Sequence, residues 1–124
     1  MAGVSVVDVT VSGTCVIARV SGEMDFTTRP DFQERFDELV ARGERFIVLD
    51  LSGVTFCDSA GLNALLVGRL QADKREVEFV VACVPQHLRR ILQMTGADQV
   101  LRSSETVAEA EAELALRGPA GGRA

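Results

Sequence analysis

The sequence contains few of the residues that metal sites and disulfide frameworks require. It has one histidine, His87, and three cysteines, Cys15, Cys57 and Cys83, which are far apart and form no CxxC pair. A zinc site needs about four such ligands, and an odd number of scattered cysteines does not build a disulfide framework. We therefore predict no metal and no cofactor, and we expect the cysteines to be small buried residues.

Lysine and long apolar runs are also scarce, and acidic residues outnumber basic ones. Lys74 is the only lysine, and the formal net charge is −5. Because nucleic-acid binding needs clustered Lys and Arg, we expect no direct nucleic-acid contact, and an acidic surface instead suits a protein partner with a basic face. No apolar run reaches the roughly 18 residues of a membrane span, and residues 1–8 lack the pattern of a signal peptide. These absences predict a cytoplasmic protein without a membrane span.

The overall balance predicts a single globular domain. Apolar residues make up 47% of the 124 residues and charged residues 25%, which is typical of a chain with one hydrophobic core. The length fits one domain. We assign residues 1–117 to this domain and the glycine-rich end, residues 118–124, to a flexible C-terminal tail.

The chain begins with the pattern of a β-hairpin. Valines alternate with polar residues between positions 7 and 11, which is the period of a half-buried strand. The turn signal Ser12-Gly13 follows, and residues 14–20 form a second apolar run. Residues 21–27, SGEMDFT, predict a loop.

A helix and then a buried strand are predicted next. Thr27 or Thr28 can cap the helix, and Gly43 ends it. Its apolar stripe comprises Phe32, Phe36, Leu39 and Val40. Residues 46–51, FIVLDL, are almost continuously apolar, which indicates a strand covered on both faces, with a parallel neighbour and helices above and below. Residues 52–57 predict a loop.

The second half alternates helices and strands in the same way. A helix is predicted from Asp58 or Ser59, with its period marked by Leu62, Leu65, Leu66, Arg69 and Leu70. It is followed by a strand at residues 77–84, a helix opened by Pro85 and closed by Gly96, and a short strand at Val100-Leu101. The last helix is predicted at residues 103–116, capped by Thr106, Ser103 or Ser104. The order β β α β α β α (β) α predicts an α/β fold, a mixed sheet of about four to five strands with about four helices.

Residues 48–66, VLDLSGVTFCDSAGLNALL, carry the chemistry of the chain. Here a buried strand leads through a loop to Asp58 and Ser59 at the start of a helix, where loops are free to carry function. The first helical turn has unpaired N–H groups and a positive dipole end, so it can receive a phosphate on Ser59. A serine at this position also suits a plain helix cap, and spacing alone leaves both interpretations open.

A serine hydrolase is a third interpretation, and the sequence argues against it. A nucleophile elbow requires GxSxG, whereas Cys57 occupies the first glycine position. The base of a triad would have to be His87, at the opening of another helix. Asp50 ends a strand without the acidic pair and lysine of a phosphate receiver, and no Walker pattern is present. We therefore predict that the protein is not an enzyme.

Four segments together resemble the STAS-domain anti-sigma-factor antagonists (anti-anti-sigma factors) of bacteria. They are SGEMD at 21–25, the stretch at 48–66, VPQHLRRILQMTGADQVL at 84–101 and SETVAEAEAEL at 104–114. The resemblance covers about residues 4–116 and implies a single STAS-like domain. The chain departs from many relatives at Ala60, where they have a second hydroxyl residue, and in the loop that begins at Phe26.

The resemblance implies a partner-switching cycle of the kind used in stress response and sporulation. The unphosphorylated antagonist binds an anti-sigma factor that is also a serine kinase, so that a sigma factor is released. The kinase then phosphorylates the antagonist, which ends this binding, and a metal-dependent serine phosphatase reverses the step. Some STAS domains act instead as binding modules without a phosphate cycle, in scaffolds or in complexes.

Carried over by position, the resemblance makes Ser59 the phosphoserine of this cycle. The partner-binding residues that it implies are Asp25, Asp58, Ser59, Gly61 and Leu62. Asp25 matches the acid at the end of the second strand, Asp58 is the acid of the motif, and Gly61 keeps bulk low where the kinase approaches.

Overall fold

The computed structural model describes residues 6–12 and 15–116, apart from the side chain of Val6. The tail predicted at residues 118–124 lies outside the described residues. The elements are β1 (Val6–Ser12), β2 (Cys15–Met24), α1 (Arg29–Ala41), β3 (Phe46–Cys57), α2 (Ser59–Lys74), β4 (Glu78–Ala82), α3 (Gln86–Thr95), a 3₁₀ turn (Ala97–Gln99), β5 (Arg102–Ser104) and α4 (Val107–Leu116).

The strands form one mixed sheet in the order β1-β2-β3-β4-β5. β1 and β2 pair antiparallel, as a hairpin does, and the pairs β2–β3, β3–β4 and β4–β5 are parallel. The parallel connections each contain a helix, as crossovers between parallel strands require. The predicted α/β fold class and order of elements are therefore confirmed, including the short fifth strand.

The hydrophobic core lies on both faces of the central strand β3. Ile47 and Leu49 belong to the larger cluster, which residues of α1, α2 and α3 complete. Phe46 and Val48 belong to a smaller cluster on the other face, which α4 covers through Ala110 and Leu114. The strand predicted to be covered on both faces is confirmed, and each large apolar side chain buried there contributes about 1.5–3 kcal/mol.

The two loops predicted at residues 21–27 and 52–57 are largely strand, so these predictions were wrong. β2 continues to Met24 and β3 to Cys57, and the two extensions pair with each other in parallel. Each extension satisfies the backbone groups of the other, although each begins with Ser-Gly, a pair typical of turns. This ribbon projects beyond the last residues that β4 pairs with, so it forms one end of the molecule.

The predicted ends of α3 agree with the structure, whereas the last helix was predicted from residue 103 and α4 begins only at Val107, because Arg102–Ser104 is strand β5. Pro85 precedes α3, and Gly96 follows it with φ +80°, the left-handed conformation that glycine adopts without strain. Thr106 is the cap of α4 among the three candidates, because its Oγ1 accepts the N–H of Glu109 at 3.0 Å.

Two details of the second half differ from the prediction. The fifth strand is Arg102–Ser104, just after the predicted Val100-Leu101. Leu70, predicted on the apolar face of α2, is 47% exposed. Among the described residues, no helix is long and apolar enough to cross a membrane.

Candidate functional site

The helices α1 and α2 begin at the same end of the sheet. Met24 and Cys57 are the last register pair of β2 and β3, and Asp25 and Asp58 follow them directly. The N–H of Asp58 donates to the carbonyl oxygen of Met24 at 3.2 Å, which ties the two chain segments together beyond the sheet. Asp25 and Asp58 therefore follow the ends of two paired strands, and Ser59 comes next along the chain.

Asp58, and not Ser59, caps α2. Asp58 has extended backbone angles, and its Oδ1 accepts the N–H of Ala60 at 2.9 Å and that of Gly61 at 3.1 Å. Ser59 is the first helical residue, it is exposed, and its hydroxyl has no hydrogen-bond partner among the described residues. The alternative that Ser59 is a plain helix cap is therefore wrong, and its hydroxyl is free to be modified.

The cap changes what a phosphate on Ser59 would meet. Two of the first-turn N–H groups that were expected to receive it already bind the Asp58 carboxylate. A phosphate would therefore lie beside an acid that holds those donors, and its negative charge would add to that of the acid. The arrangement concentrates negative charge at the surface.

A substitution at Asp58 can separate its capping role from its charge. Asp58→Ala removes the bonds to Ala60 and Gly61, and we expect the free energy of unfolding to fall by about 1 kcal/mol, the usual cost of losing a cap. Asp58→Ser keeps an acceptor and is expected to lose at most half of that. Urea denaturation measures both, and equal losses would contradict the capping role.

Asp25 and Thr28 lock the turn that precedes α1. The N–H of Thr28 donates to Asp25 Oδ1 at 3.0 Å, and the N–H of Asp25 donates to Thr28 Oγ1 at 3.0 Å. The Thr28 hydroxyl, 3% exposed, donates to the carbonyl oxygen of Glu23 at 2.7 Å. Thr28 is at the cap position of α1, as predicted, but its hydroxyl makes no capping bond to the helix and holds the turn instead. Asp25 itself is half-buried.

Gly61 and Leu62 lie inside the protein. A Cβ on Gly61 would lie 2.7 Å from Met24 Cβ and 2.8 Å from the Met24 carbonyl carbon, so the missing side chain makes room for β2 and not for a kinase. Leu62 is 6% exposed and belongs to the larger core cluster. Both residues therefore position α2, and Ser59 is the exposed member of the predicted set, flanked by half-buried Asp25 and Asp58.

The thiol of Cys57, next to the site, is a poor nucleophile. Burial first, and then the charge of Asp58, raise the pKa of Cys57 to about 12, so this thiol is protonated at neutral pH and is a poor nucleophile. Burial also raises the pKa of Cys15 and Cys83. Cys15 and Cys57 are buried as expected, whereas Cys83 is half-buried.

In residues 6–12 and 15–116, no group of three or more His, Cys, Asp or Glu could hold a metal ion.

His87 does not join Ser59. It is exposed on α3, and no hydrogen bond connects it to Ser59 in the described part of the chain. A base must lie within hydrogen-bond reach of its nucleophile. The structure therefore gives the hydrolase interpretation no support.

Two phenylalanines at this end are exposed, and the sequence pattern indicates an exposed position for only one of them. Phe26 follows Asp25 and is 79% exposed, and Phe56 precedes Cys57 and is 48% exposed. The polar neighbours of Phe26 indicate an exposed loop. The position of Phe56 at this end depends on the pairing of β2 with β3, which the local sequence does not show.

The geometry of this end can now be compared with known proteins. Residues 6–110 match the family model for the STAS domain. The chain belongs to the STAS domain family. This confirms the resemblance found in the sequence, and the match spans most of the chain.

Antagonists of anti-sigma factors are among the relatives of this STAS chain. The anti-sigma-B factor antagonist of Staphylococcus aureus (strain NCTC 8325 / PS 47) is 31% identical over 88 residues, which are 70% of this chain and 81% of the relative. An anti-sigma factor antagonist from Mycobacterium paratuberculosis has a similar structure, with a TM-score of 0.82, 28% identity and coverage of 90% of this chain and 94% of the other. The Bacillus cell fate determinant SpoIIAA in its phosphorylated form shares the fold, with a TM-score of 0.66, 17% identity and coverage of 90% and 99%.

Proposed function

We propose that this protein is an anti-sigma-factor antagonist that works by partner switching in the bacterial cytoplasm. Its unphosphorylated form binds an anti-sigma factor with serine-kinase activity and frees a sigma factor. Phosphorylation of Ser59 ends that binding, and a serine phosphatase restores it. The observation that carries the proposal is the exposed Ser59 hydroxyl, without an internal partner at the start of α2, in a chain related to such antagonists.

The position of Ser59 explains how a phosphate can act without unfolding the protein. The side chain is exposed, whereas Leu62, one turn further along α2, is buried in the core. A phosphate adds a charge of about −1.5 to −2 at the surface next to Asp58, and leaves the packing beneath unchanged. Its effect is therefore on what docks at this end.

The same geometry supports a binding protein rather than an enzyme. No hydrogen bond joins Ser59 to His87, the only histidine, in the part of the chain that the structure describes, and the raised pKa of Cys57 makes that thiol unsuitable as a nucleophile. In the proposed cycle the protein is a substrate of its kinase and phosphatase. We expect it to make no direct contact with nucleic acid and to have no membrane span.

The proposed site can be tested by phosphorylation. The purified chain is incubated with its kinase-type anti-sigma factor, ATP and Mg²⁺, and the phosphate is located by mass spectrometry. We expect a single phosphate on Ser59 and none on Ser59→Ala. Ser52→Ala is the control, since Ser52 is an exposed serine of the same segment and its loss should leave phosphorylation unchanged.

Two outcomes would argue against this proposal. Phosphorylation of Ser59→Ala at the wild-type level would refute the assignment of the site. Stable binding to partners without any phosphorylation would instead favour a STAS domain that acts as a constitutive scaffold or complex subunit.

A further inference from the structure

Two of the six phenylalanines are exposed, and both lie at the end that carries Ser59. Phe26 is 79% exposed and Phe56 is 48% exposed. The other four, Phe32, Phe36, Phe46 and Phe79, are buried in the core clusters. Aromatic side chains bury a large apolar area when they are covered, so two of them left in solvent at one end indicate a surface that a partner covers.

Strand pairing brings the segments that carry the two phenylalanines to the end of the sheet that carries Ser59. Phe56 pairs with Glu23 across β2 and β3, one step before the last register pair, Met24 and Cys57. Phe26 comes two residues after Met24. Ser59 comes two residues after Cys57, so all three side chains belong to segments that meet at this pair.

Both phenylalanines are on ordered backbone. Phe26 is inside the turn that the reciprocal hydrogen bonds of Asp25 and Thr28 close, and Phe56 is in a paired strand. Ordering a flexible segment on binding costs conformational entropy, whereas a preorganised one avoids most of that cost. Rigid aromatic anchors of this kind are typical hot spots of protein interfaces.

The charges around the rings indicate the chemistry of the partner. Three acids, exposed Glu23 and half-buried Asp25 and Asp58, accompany one base in these segments, half-buried Arg29, and the whole chain carries a net charge of −5. Arginine suits such a surface, because it binds carboxylates and also stacks on aromatic faces. The matching face of the partner therefore combines basic side chains with an apolar pocket.

We propose that Phe26 and Phe56 are anchors of the surface that binds the anti-sigma factor, and that the binding face of this factor is basic and apolar. This inference rests on the proposed function. It adds that affinity comes from two side chains that are themselves not modified. The two aromatic rings then hold the anti-sigma factor on this surface, and phosphorylation of Ser59 within the same surface releases it.

The test compares the phenylalanines with equally exposed residues elsewhere. Met94 on α3 is 79% exposed, like Phe26, and Leu70 on α2 is 47% exposed, close to Phe56. Calorimetry with the anti-sigma factor that phosphorylates Ser59 should show Kd raised roughly 10- to 100-fold by Phe26→Ala and by Phe56→Ala. Met94→Ala and Leu70→Ala should stay within about twofold, and higher ionic strength should weaken wild-type binding.

The outcomes separate this inference from the proposed function. If wild-type protein binds and is phosphorylated while both phenylalanine variants bind as tightly as it does, the inference is wrong and the proposed function stands. If the wild-type protein neither binds nor is phosphorylated, the proposed function fails and the inference with it. Circular dichroism should show the same fold for all four variants, since each removed side chain is exposed.

Discussion

Ser59→Asp is expected to weaken binding to the anti-sigma factor by roughly 10- to 100-fold, which is about 1.4–2.8 kcal/mol. The substitution places a negative charge where the phosphate would be, next to the carboxylate of Asp58. A misplaced charge in an interface costs binding energy because it repels its neighbours and loses water without a partner. Calorimetry or surface plasmon resonance with the purified kinase-type anti-sigma factor measures the change in Kd.

The same variant should be almost as stable as the wild-type protein. Ser59 is exposed, and a negative charge in the first turn of a helix interacts favourably with the helix dipole, by about 0.3–1 kcal/mol. Repulsion from Asp58 opposes this gain. We therefore expect the free energy of unfolding to change by less than about 0.5 kcal/mol, as at most surface sites.

A neutral substitution shows that charge, and not shape, causes the loss of binding. Ser59→Asn has nearly the size of the aspartate without its charge, and it should weaken binding much less. Equal weakening by both variants would contradict an electrostatic switch. Marked destabilisation by Ser59→Asp would contradict the placement of this side chain on the surface.

Local sequence patterns were sufficient for the core of the fold and for the place of Ser59. The run FIVLDL at 46–51 indicates a strand covered on both faces because it leaves no polar face for solvent, and β3 has this property. Asp58 and Ser59 directly precede an apolar helical pattern, which is the signature of a helix start. Both conclusions need only neighbours along the chain.

Contacts between distant segments account for what the sequence did not predict. The ends of β2 and β3 each begin with Ser-Gly, which is typical of a turn, and they form strands because they pair with each other. Leu70 fits the period of α2 but is exposed, whereas Gly68 is buried against Phe36 of α1. A Cβ on Gly68 would lie only 3.3 Å from Phe36 Cδ2, a closeness that no local pattern reveals.

The role of Gly61 also depends on a distant neighbour. The family resemblance assigned it to the approach of a kinase, whereas the structure packs it against the backbone of Met24. That Asp58, and not Ser59, caps α2 depends on the extended backbone angles of Asp58, which only the structure shows.

Of the substitutions considered, Gly61→Ala is therefore expected to lower the free energy of unfolding most, by about 1–3 kcal/mol, which is the usual cost of overpacking. The new Cβ would lie 2.7 Å from Met24 Cβ and 2.8 Å from the Met24 carbonyl carbon. One of these neighbours is backbone of the paired strand β2, which cannot move without disturbing the sheet. The higher helix propensity of alanine, worth up to about 1 kcal/mol over glycine, offsets only part of this cost.

Gly68→Ala on the same helix is the matched control for this prediction. Its Cβ would meet Phe79 Cζ at 3.2 Å and Phe36 Cδ2 at 3.3 Å, which are side-chain atoms that can shift slightly. The gain in helix propensity is the same, so we expect the free energy of unfolding to change by less than about 1 kcal/mol. Urea denaturation of both variants decides the matter, and equal stability of the two would refute a special contact at Gly61.

The same substitution should also disturb the site. The N–H of Asp58 donates to the carbonyl oxygen of Met24, and Gly61 packs against that residue, so one contact sets the position of the whole first turn of α2. Pushing the turn away from β2 moves Ser59 relative to Phe26 and Phe56. Gly61→Ala should therefore slow phosphorylation of Ser59 even in conditions where the variant is fully folded, whereas Gly68→Ala, about two turns further along α2, should not.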